Sequence, residues 1–174
     1  MTEPVRLRDG SPVAAWLFKA NPEVWDVLGA LDQRTGIDHW RMAPSYRTDL
    51  VHPGQPCGLW VTGAASAAHV AGAWALGHVT GEPYLDTGDP SDSAWRDLGA
   101  ARQVRPYVAV DLRVLEQPVD RRVLRGDPRF VDAEILRRPR MGSPLALSPG
   151  EWDALVDHAL DADPTLDDAR FRLA

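Results

Sequence analysis

Apolar residues fall in short runs separated by polar, turn-rich stretches, a pattern typical of a domain with several strands. Five of these runs predict strands: Ala14–Lys19, Cys57–Thr62, Val70–Thr80, Tyr107–Val114 and Leu145–Leu147. In the fourth run, Val108, Val110 and Leu112 alternate with small or polar residues, so one face is predicted to be buried. Glycines at 63, 72 and 77 indicate a turn and a bent strand, as at the corner of a barrel.

Helices are predicted towards both ends of the chain. Asn21-Pro22 is typical of a helix start, because Asn caps free backbone N–H groups and Pro needs no partner there. Apolar residues follow at helical spacing, and Gly36 is predicted to lie just past the end of this helix. Asp120–Arg125 predicts a short helix, and the capping box Ser148–Glu151 begins an amphipathic final helix.

The segment Ile37–Gln55 has no clean period and is predicted to be a long loop with some short helix. Long ordered loops of this kind are more often functional than not. Because the helices lie towards both ends and do not alternate regularly with strands, the predicted fold class is α+β, built around a curved sheet or small barrel.

The composition is that of an ordinary globular protein with an acidic balance. The chain has 174 residues, 25 acidic against 19 basic ones, a net charge of −6 and one cysteine. No run approaches the ~18 apolar residues that cross a bilayer, and a single cysteine excludes an internal disulfide. A soluble, cytoplasmic protein of one domain, with no membrane partner, is expected. The basic residues are all Arg except Lys19, which suggests a GC-rich bacterial genome.

Charge is unevenly distributed along the chain. The acidic balance argues against a protein that coats duplex DNA with its whole surface. Arg121–Arg140 nevertheless holds seven Arg and three acids, a local net charge of +4. Acids concentrate in Glu82–Asp97 and after Glu151, so a protein partner docking on these acidic segments is one possible role.

Catalytic and metal-binding signatures are missing from the sequence. It has no nucleophile elbow, P-loop, dinucleotide fingerprint or His-Glu-x-x-His motif, and no two histidines are spaced to share a helix face. Cys57 lies in an apolar run and is interpreted as an inert core residue. The run Thr62–Ala68 could in principle cradle a phosphate, but it lacks the Lys of a P-loop and is interpreted as a hairpin connection. No catalytic residue, metal or cofactor is predicted.

Aromatic and polar residues in and beside the irregular stretch suggest a binding pocket. Trp40, Tyr46 and Trp60 could offer flat faces for a heterocycle, and the polar candidates near them in sequence are Lys19, Asn21, Arg41, Arg47 and Thr62. A pocket for a flat ring needs such faces together with a few fixed donors and acceptors. Ordinary packing of the loop onto the sheet is the alternative explanation for these aromatic residues.

Several segments, taken in order, resemble one known family. They are Trp16–Pro22, the pair Trp40 and Tyr46, Gly54–Gly63, Ala71–Val79 with Glu82-Pro83, and Asp127–Arg140 with Leu147–Trp152. Together they resemble the EVE domain, a member of the PUA-like superfamily that is related to YTH and ASCH modules. The resemblance implies an EVE domain at residues 13–162, between an N-terminal leader (1–12) and an acidic C-terminal tail (163–174). It also implies a small PUA-like β-barrel of about five to six strands flanked by helices.

The resemblance implies a non-catalytic protein that binds a modified nucleobase, in DNA or RNA, after taking the base out of its stack. By carry-over, Trp40, Tyr46 and Trp60 border the pocket. Lys19, Asn21 and Thr62 meet the base edge or sugar. The residues implied to approach phosphate are Arg41, Arg47, Arg137, Arg138 and Arg140.

The chain departs from the family pattern at three places, and two other functions stay open. Ala20-Asn21 stands where the family usually has Ser-Glu, and Pro44-Ser45 stands where it usually has Arg-Asn. Gln55 stands where the family usually has Asp. One alternative is an ASCH-like enzyme acting on RNA or a modified nucleoside, with Lys19 beside Asp49 or Tyr46. The other is a protein-interaction module that has no base pocket.

Overall fold

A computed structural model describes residues 3–33, 37–64 and 66–174. Within them, seven strands form one sheet: β1 (Ala15–Ala20), β2 (Ile37–Arg41), β3 (Pro56–Val61), β4 (Gly72–Val79), β5 (Tyr84–Asp86), β6 (Arg105–Asp120) and β7 (Leu145–Leu147). The α-helices are α1 (Val27–Asp32), α2 (Leu98–Ala101), α3 (Arg121–Arg125), α4 (Glu134–Arg137), α5 (Pro149–Ala162) and α6 (Asp168–Phe171). Tyr46–Leu50 form a 3₁₀ helix.

The sheet is mixed and open. Its strands follow the order β2-β6-β4-β3-β1-β7, and β5 pairs separately with β6. Strands β1 and β3 are parallel, whereas the other pairs are antiparallel. The α+β class is therefore confirmed, with more strands than the five to six expected. In the described part of the chain the two end strands, β2 and β7, do not pair, so these pairings do not form a closed barrel.

Both faces of the sheet are buried, and β1 contributes to each. Leu17 belongs to a core that includes Trp60, Trp152 and residues of α5, here called the α5 core. Trp16 and Phe18, its neighbours along the strand, belong to a second core with residues of α1 and β2, here called the α1 core. Because successive side chains of a strand point to opposite faces, a strand buried on both sides is a continuous apolar run.

The five predicted strands are confirmed as β1, β3, β4, β6 and β7. Four of them match their predicted bounds to within two residues, whereas β6 has 16 residues and extends well beyond the predicted Tyr107–Val114. Helix α5 begins with the predicted capping box, but it is not the final helix, because α6 follows it. Ser148 Oγ accepts a hydrogen bond from Glu151 N at 3.3 Å, and Glu151 Oε2 accepts one from Ser148 N at 2.8 Å. The short helix α3 begins after its N-cap Asp120, as predicted.

The predicted start of the first helix is wrong. Asn21 forms a turn instead, because its carbonyl oxygen accepts hydrogen bonds from Val24 N and Trp25 N. The helix α1 begins six residues later, at Val27, and its N-cap is Asp26, whose side chain accepts from Gly29 N. Gly36, predicted to follow the helix end, lies outside the described residues.

The predicted loop over Ile37–Gln55 is also wrong in its first part. Ile37–Arg41 forms strand β2, which pairs with β6 through a shift of register between Ile37 and His39. A register shift interrupts the regular alternation of buried and exposed side chains, so the strand has no clean period in the sequence. The predicted short helix in this segment is the 3₁₀ helix.

Both ends of the chain contribute to the cores. Leu7 of the leader is buried in the α1 core, and Phe171 of the acidic tail is buried in the α5 core. Trp152 Nε1 donates a hydrogen bond to the Phe171 carbonyl oxygen at 2.7 Å, which ties α6 to α5. The boundaries at residues 13 and 162 stay predictions. No helix in the described residues has the length and apolar character to span a membrane.

Candidate functional site

A cleft of about 520 Å³ opens beside the ends of β1 and β3. It lies among the turn after β1, the β3–β4 connection (residues 62–71, of which 65 is not described), α3 and α4. Its polar lining residues are Asn21, Glu23, Thr62, Ser66, His69, Arg121 and Arg125. Its apolar lining includes Trp60, Ile135, Leu136 and Pro139.

The parallel pairing of β1 and β3 brings two predicted site residues together. Asn21 follows the last residue of β1 and Thr62 follows the last residue of β3, so both lie at the same edge of the sheet. Asn21 Oδ1 accepts a hydrogen bond from Glu23 N at 3.0 Å, which orients the side-chain amide. Thr62 N donates to the Ala20 carbonyl oxygen at 2.9 Å. These bonds fix the Asn21 side chain and the Thr62 backbone at the cleft.

The apolar part of the cleft is built on Trp60. This indole lies within 6.4 Å of the Phe130 ring, centroid to centroid, with the planes 7° apart. Only 2% of the residue is exposed, so Trp60 is a floor rather than a free stacking surface. Ile135 and Leu136 of α4 extend this apolar surface.

Two arginines of α3 form the basic side of the cleft. Arg121 and Arg125 are four residues apart and share one face of the helix. Arg121 Nη1 donates to the Gly63 carbonyl oxygen at 3.1 Å, and its buried Nε has no acceptor within the described chain. His69 Nε2 is 2.7 Å from the Thr62 carbonyl oxygen. Because a carbonyl oxygen can only accept, His69 Nε2 is the donor.

Lys19 lies behind the cleft rather than in its lining. Its Nζ donates to the carbonyl oxygens of Pro139 and Met141, both at 2.7 Å. Partial burial lowers the pKa of Lys19 below its ordinary value, because the charged form is poorly solvated there. Since Pro139 lines the cleft, Lys19 holds one wall of it in place.

The structure does not bring Trp40 and Tyr46 to this cleft. Trp40, on β2, packs edge-on against Trp25 with ring centroids 5.9 Å apart and belongs with the α1 core, whereas Trp60 belongs to the α5 core. Tyr46 lies under the Arg8 guanidinium, 4.1 Å from its ring centroid, and Tyr46 Oη accepts from Arg8 N at 3.3 Å. The two predicted pocket indoles therefore lie on opposite faces of the sheet.

Of the predicted phosphate-contacting arginines, Arg47 is buried in an ion pair. Its two terminal nitrogens donate to the Glu134 carboxylate at 2.7 and 2.8 Å, and Ala146 N donates to the same carboxylate at 3.0 Å. Burial acts to raise the pKa of Glu134, but the bonds from Arg47 and Ala146 outweigh it, so that pKa lies below its ordinary value. The pKa of Arg47 is raised, chiefly by its hydrogen bonds to Glu134.

The other predicted phosphate contacts lie on the surface or at another aromatic residue. Arg41 lies over Trp95, 5.4 Å from the ring centroid. Arg137, Arg138 and Arg140 are exposed, and they alternate in sequence with the cleft residues Leu136 and Pro139. Their contact with phosphate stays a prediction.

A comparison with protein-family models matches the EVE domain over residues 14–158. The chain belongs to the EVE domain family. The match runs from the residue before β1 into α5, and so includes the whole sheet. No curated protein matched this EVE domain.

Solved structures share the fold of this EVE domain at low sequence identity. A hypothetical protein from Leishmania major has a TM-score of 0.58 at 12% identity, covering 86% of this chain and 96% of its own. A crystal structure of a protein from Pseudomonas putida has a TM-score of 0.57 at 18% identity, and the match covers 84% of this chain and 100% of that protein's chain. An NMR structure of a protein from Rhodopseudomonas palustris has a TM-score of 0.54 at 18% identity, and the match covers 84% of this chain and 93% of that protein's chain.

Two of the residues named for the enzyme alternative have other contacts in this EVE domain. Lys19 donates to two carbonyl oxygens and Tyr46 contacts Arg8. An enzyme with Lys19 beside Asp49 or Tyr46 stays a prediction. Cys57 is buried, and burial raises the pKa of its thiol. Among the residues that the structure describes, no group of three His, Cys, Asp or Glu side chains could hold a metal. A protein partner on the acidic segments stays a prediction.

Five polar residues of the cleft were not predicted as site residues: Glu23, Ser66, His69, Arg121 and Arg125. Two of them had a signal in the sequence, because Arg121 and Arg125 begin the basic segment and have the spacing of one helix face. His69 had no such signal, since its position depends on how the β3–β4 connection folds back on Thr62.

Proposed function

We propose that this EVE domain binds nucleic acid and holds one modified base in the cleft beside Asn21 and Thr62, without catalysing a reaction. The cleft itself carries the proposal, since an apolar floor adjoins fixed polar groups within a volume of about 520 Å³. Sites for small molecules typically measure 300–1,000 Å³ and combine apolar walls with a few placed polar groups. The open sheet is compatible with the PUA-like fold that the EVE family implies.

The polar groups at the sheet edge suit the rim of a flat base. Asn21 Oδ1 accepts a hydrogen bond from Glu23 N, so the side-chain NH₂ group of Asn21 is the part that can donate to a ligand acceptor. The Thr62 hydroxyl is both donor and acceptor. A base that leaves its stack costs a few kcal/mol, which contacts in the cleft must recover.

Apolar contact in this cleft comes mainly from aliphatic side chains. Trp60 is 2% exposed, and Trp40 packs on the opposite face of the sheet, so two indoles do not sandwich a ligand ring. Ile135, Leu136 and Pro139 supply the rest of the apolar lining. Burying one added methyl group is worth about 1 kcal/mol, so preference for a modified base depends on a close fit against these side chains.

The test is fluorescence anisotropy with labelled single-stranded 9-mers of DNA and RNA. Each carries one 5-methylcytosine, one N6-methyladenine or no modification. We expect one modified strand to bind about fivefold more tightly than its unmodified match. Thr62→Val, which removes the hydroxyl at nearly constant volume, and Asn21→Ser should each weaken binding about two- to tenfold, the effect of one hydrogen bond.

Trp40→Phe is the matched control, because Trp40 lies outside the cleft lining. It should leave binding unchanged. Failure of every strand to bind the wild-type protein would refute the proposal. Equal binding by wild type, Thr62→Val and Asn21→Ser, with a loss only in Trp40→Phe, would refute this cleft as the site.

A further inference from the structure

The β3–β4 connection and α3 meet across one side of the cleft. The connection begins Thr-Gly-Ala-Ala-Ser-Ala-Ala, a run of small residues that allows close approach of a ligand but contains no cation. In the folded chain the cations come from another element, since Arg121 and Arg125 of α3 line the same cleft as Thr62, Gly63 and Ser66. A small-residue loop and nearby cations are the parts of a phosphate site.

We propose that Arg121, Arg125 and His69 form a subsite for the phosphate group of a nucleotide, next to the base position. The ligand of the cleft is then a nucleotide, free or within a strand, and not a bare base or nucleoside. This inference rests on the proposed function for the identity of the base position, but the subsite itself is defined by the three side chains.

Arg121 and Arg125 differ from neighbouring arginines in their pairing. Arg122, between them on α3, is bound to Asp120 at 2.8 Å, and Arg129 is bound to Asp127 at 2.9 Å. Within the described chain, neither Arg121 nor Arg125 forms an ion pair. The Asp120 carboxylate lies near enough for the Arg121 charge to help lower its pKa, but its hydrogen bonds go to Arg122. In a chain with more acids than bases, two arginines that form no ion pair in the described residues give this wall of the cleft positive charge, which attracts an anion.

The resting position of Arg121 is weakly held. Its Nη1 has one hydrogen bond, to the Gly63 carbonyl oxygen at 3.1 Å, while its Nε is shielded from water and has no acceptor in the described residues. A buried donor without a partner is costly. A phosphate in the cleft can draw the guanidinium outward and bind it through two oxygens, which gives Nε an acceptor.

His69 holds the β3–β4 connection against this wall. Its Nε2 donates to the Thr62 carbonyl oxygen, so the opposite ring nitrogen, Nδ1, is the one left for a ligand, and it donates to a phosphate oxygen when the ring carries both protons. Gly63 makes room for the ring, because an added Cβ there would lie 2.7 Å from His69 Nε2. The acid in the cleft lining, Glu23, belongs to the turn after β1 and not to this wall.

The first test needs no identified base. Sodium phosphate is titrated into the ¹⁵N-labelled protein against sodium chloride at equal ionic strength, and the Arg Nε–H and His ring resonances are followed by NMR. We expect saturable shifts at Arg121 Nε and at His69 with phosphate only, and their loss in Arg125→Gln. Shifts spread evenly over surface arginines, including Arg122, or none at all, would overturn the subsite.

The second test separates phosphate contact from base contact. Binding of the preferred 9-mer is measured against salt for wild type, Arg121→Gln and Arg125→Gln, with Arg122→Gln as the control on the same helix. Each cleft variant should weaken modified and unmodified strands alike, about five- to tenfold at low salt. Because both arginines contact the same phosphate, each variant should also reduce the slope of log K against log[salt], by at most about 0.7, the value for one phosphate of a single strand.

The outcomes distinguish the two proposals. If strands bind and Thr62→Val weakens them, but both Arg variants match wild type, the phosphate subsite is wrong and the base site stands. If an Arg variant loses only the preference for the modified base, the arginine contacts the base and the subsite is equally wrong. If phosphate shifts Arg121 and His69 but no strand binds, the subsite stands and the proposed function fails.

A competition experiment distinguishes the source of the phosphate. The nucleoside of the preferred base, its 5′-monophosphate and the 9-mer each compete with the labelled strand. We expect the monophosphate to compete at least tenfold better than the nucleoside, because only the former reaches both subsites. Equal competition by nucleoside and monophosphate would contradict the inference.

Discussion

Arg47 and Glu134 form an ion pair that is nearly withdrawn from water, with side chains 7% and 15% exposed. They join the 3₁₀ helix to α4, and Glu134 also accepts from Ala146 N in β7. Removing one partner of a buried pair leaves an uncompensated charge, whereas replacing both with apolar residues is often nearly neutral. The pair is therefore a strong test of whether Arg47 is structural or free to contact a ligand.

We expect Arg47→Met to lower the free energy of unfolding by about 3 kcal/mol, because Glu134 then stays buried without its cation. Urea denaturation followed by circular dichroism measures this. The double variant Arg47→Met with Glu134→Leu should recover most of the loss. A single variant as stable as the wild-type protein would contradict the ion pair.

The same pair predicts a pH dependence of stability. The pKa of Glu134 lies below its ordinary value of 4.5, so the unfolded chain takes up the proton first as the pH falls. The stabilisation by Glu134 is complete above pH 4.5 and is lost as the pH falls through the folded-state pKa. Glu134→Gln, which cannot titrate, should show a shallower loss of stability below that pH. Parallel stability curves for the two proteins would refute this assignment.

These side chains show where sequence reasoning reached its limit. The sequence identified Arg47 as polar and near the irregular stretch, but its partner Glu134 is 87 residues away and their pairing depends on tertiary structure. Trp40 and Trp60 were chosen for their aromatic faces, and the face of the sheet to which each points depends on register. The family resemblance implied that Asn21 and Thr62 meet the same base, and the structure places both at one edge of the sheet because they follow the adjacent parallel strands β1 and β3.

At Gly77 of β4, the backbone of β6 leaves no room for a side chain. A Cβ added at this position would overlap the Asp111 carbonyl oxygen of β6. We expect Gly77→Ala to lower the free energy of unfolding by about 2 kcal/mol, the usual effect of overpacking. Thermal and urea unfolding measure the change.

Gly150 offers the matched control for that substitution. It lies in the first turn of α5, and an added Cβ there would have no neighbour within 4 Å. Gly150→Ala should therefore stabilise the protein by up to about 1 kcal/mol, because Ala is the better helix former. Equal effects of the two substitutions would contradict the close approach of β4 and β6.

Elements with a strong local pattern were predicted well. The runs that became β1, β3 and β4 are apolar because they are buried on both faces, and the capping box of α5 is a local signal that needs no tertiary context. The start of α1 was misplaced because Asn-Pro also suits a turn, and here that turn borders the cleft. Strand β2 was missed because its register shift breaks the alternation.

Taken over the entire chain, charge opposes nucleic acid except at the cleft. The net charge is −6, while Arg121 and Arg125 line the cleft. The exposed Arg137 ends α4, and the exposed Arg138 and Arg140 follow it. We therefore expect the protein to contact only a few nucleotides at the cleft, unlike proteins that contact a long stretch of the nucleic-acid backbone.

We expect affinity for single strands to rise up to about six nucleotides and then to level off, because acidic surface beyond the cleft gives no further phosphate contacts. Anisotropy with 3-, 6-, 9- and 15-mers measures this. The triple variant Arg137→Gln, Arg138→Gln, Arg140→Gln should move the plateau to shorter strands. A steady rise up to the 15-mer would indicate a second basic track.

Strand β6 takes part in three pairings, with β2, β4 and β5, over its 16 residues. Its rupture would leave β2 and β5 without a partner strand, whereas β4 would still pair with β3. Native-state amide exchange should accordingly report one common opening energy for β2, β5 and β6. Splitting the protein into two fragments within β6 should yield pieces that are insoluble alone and become folded only when mixed.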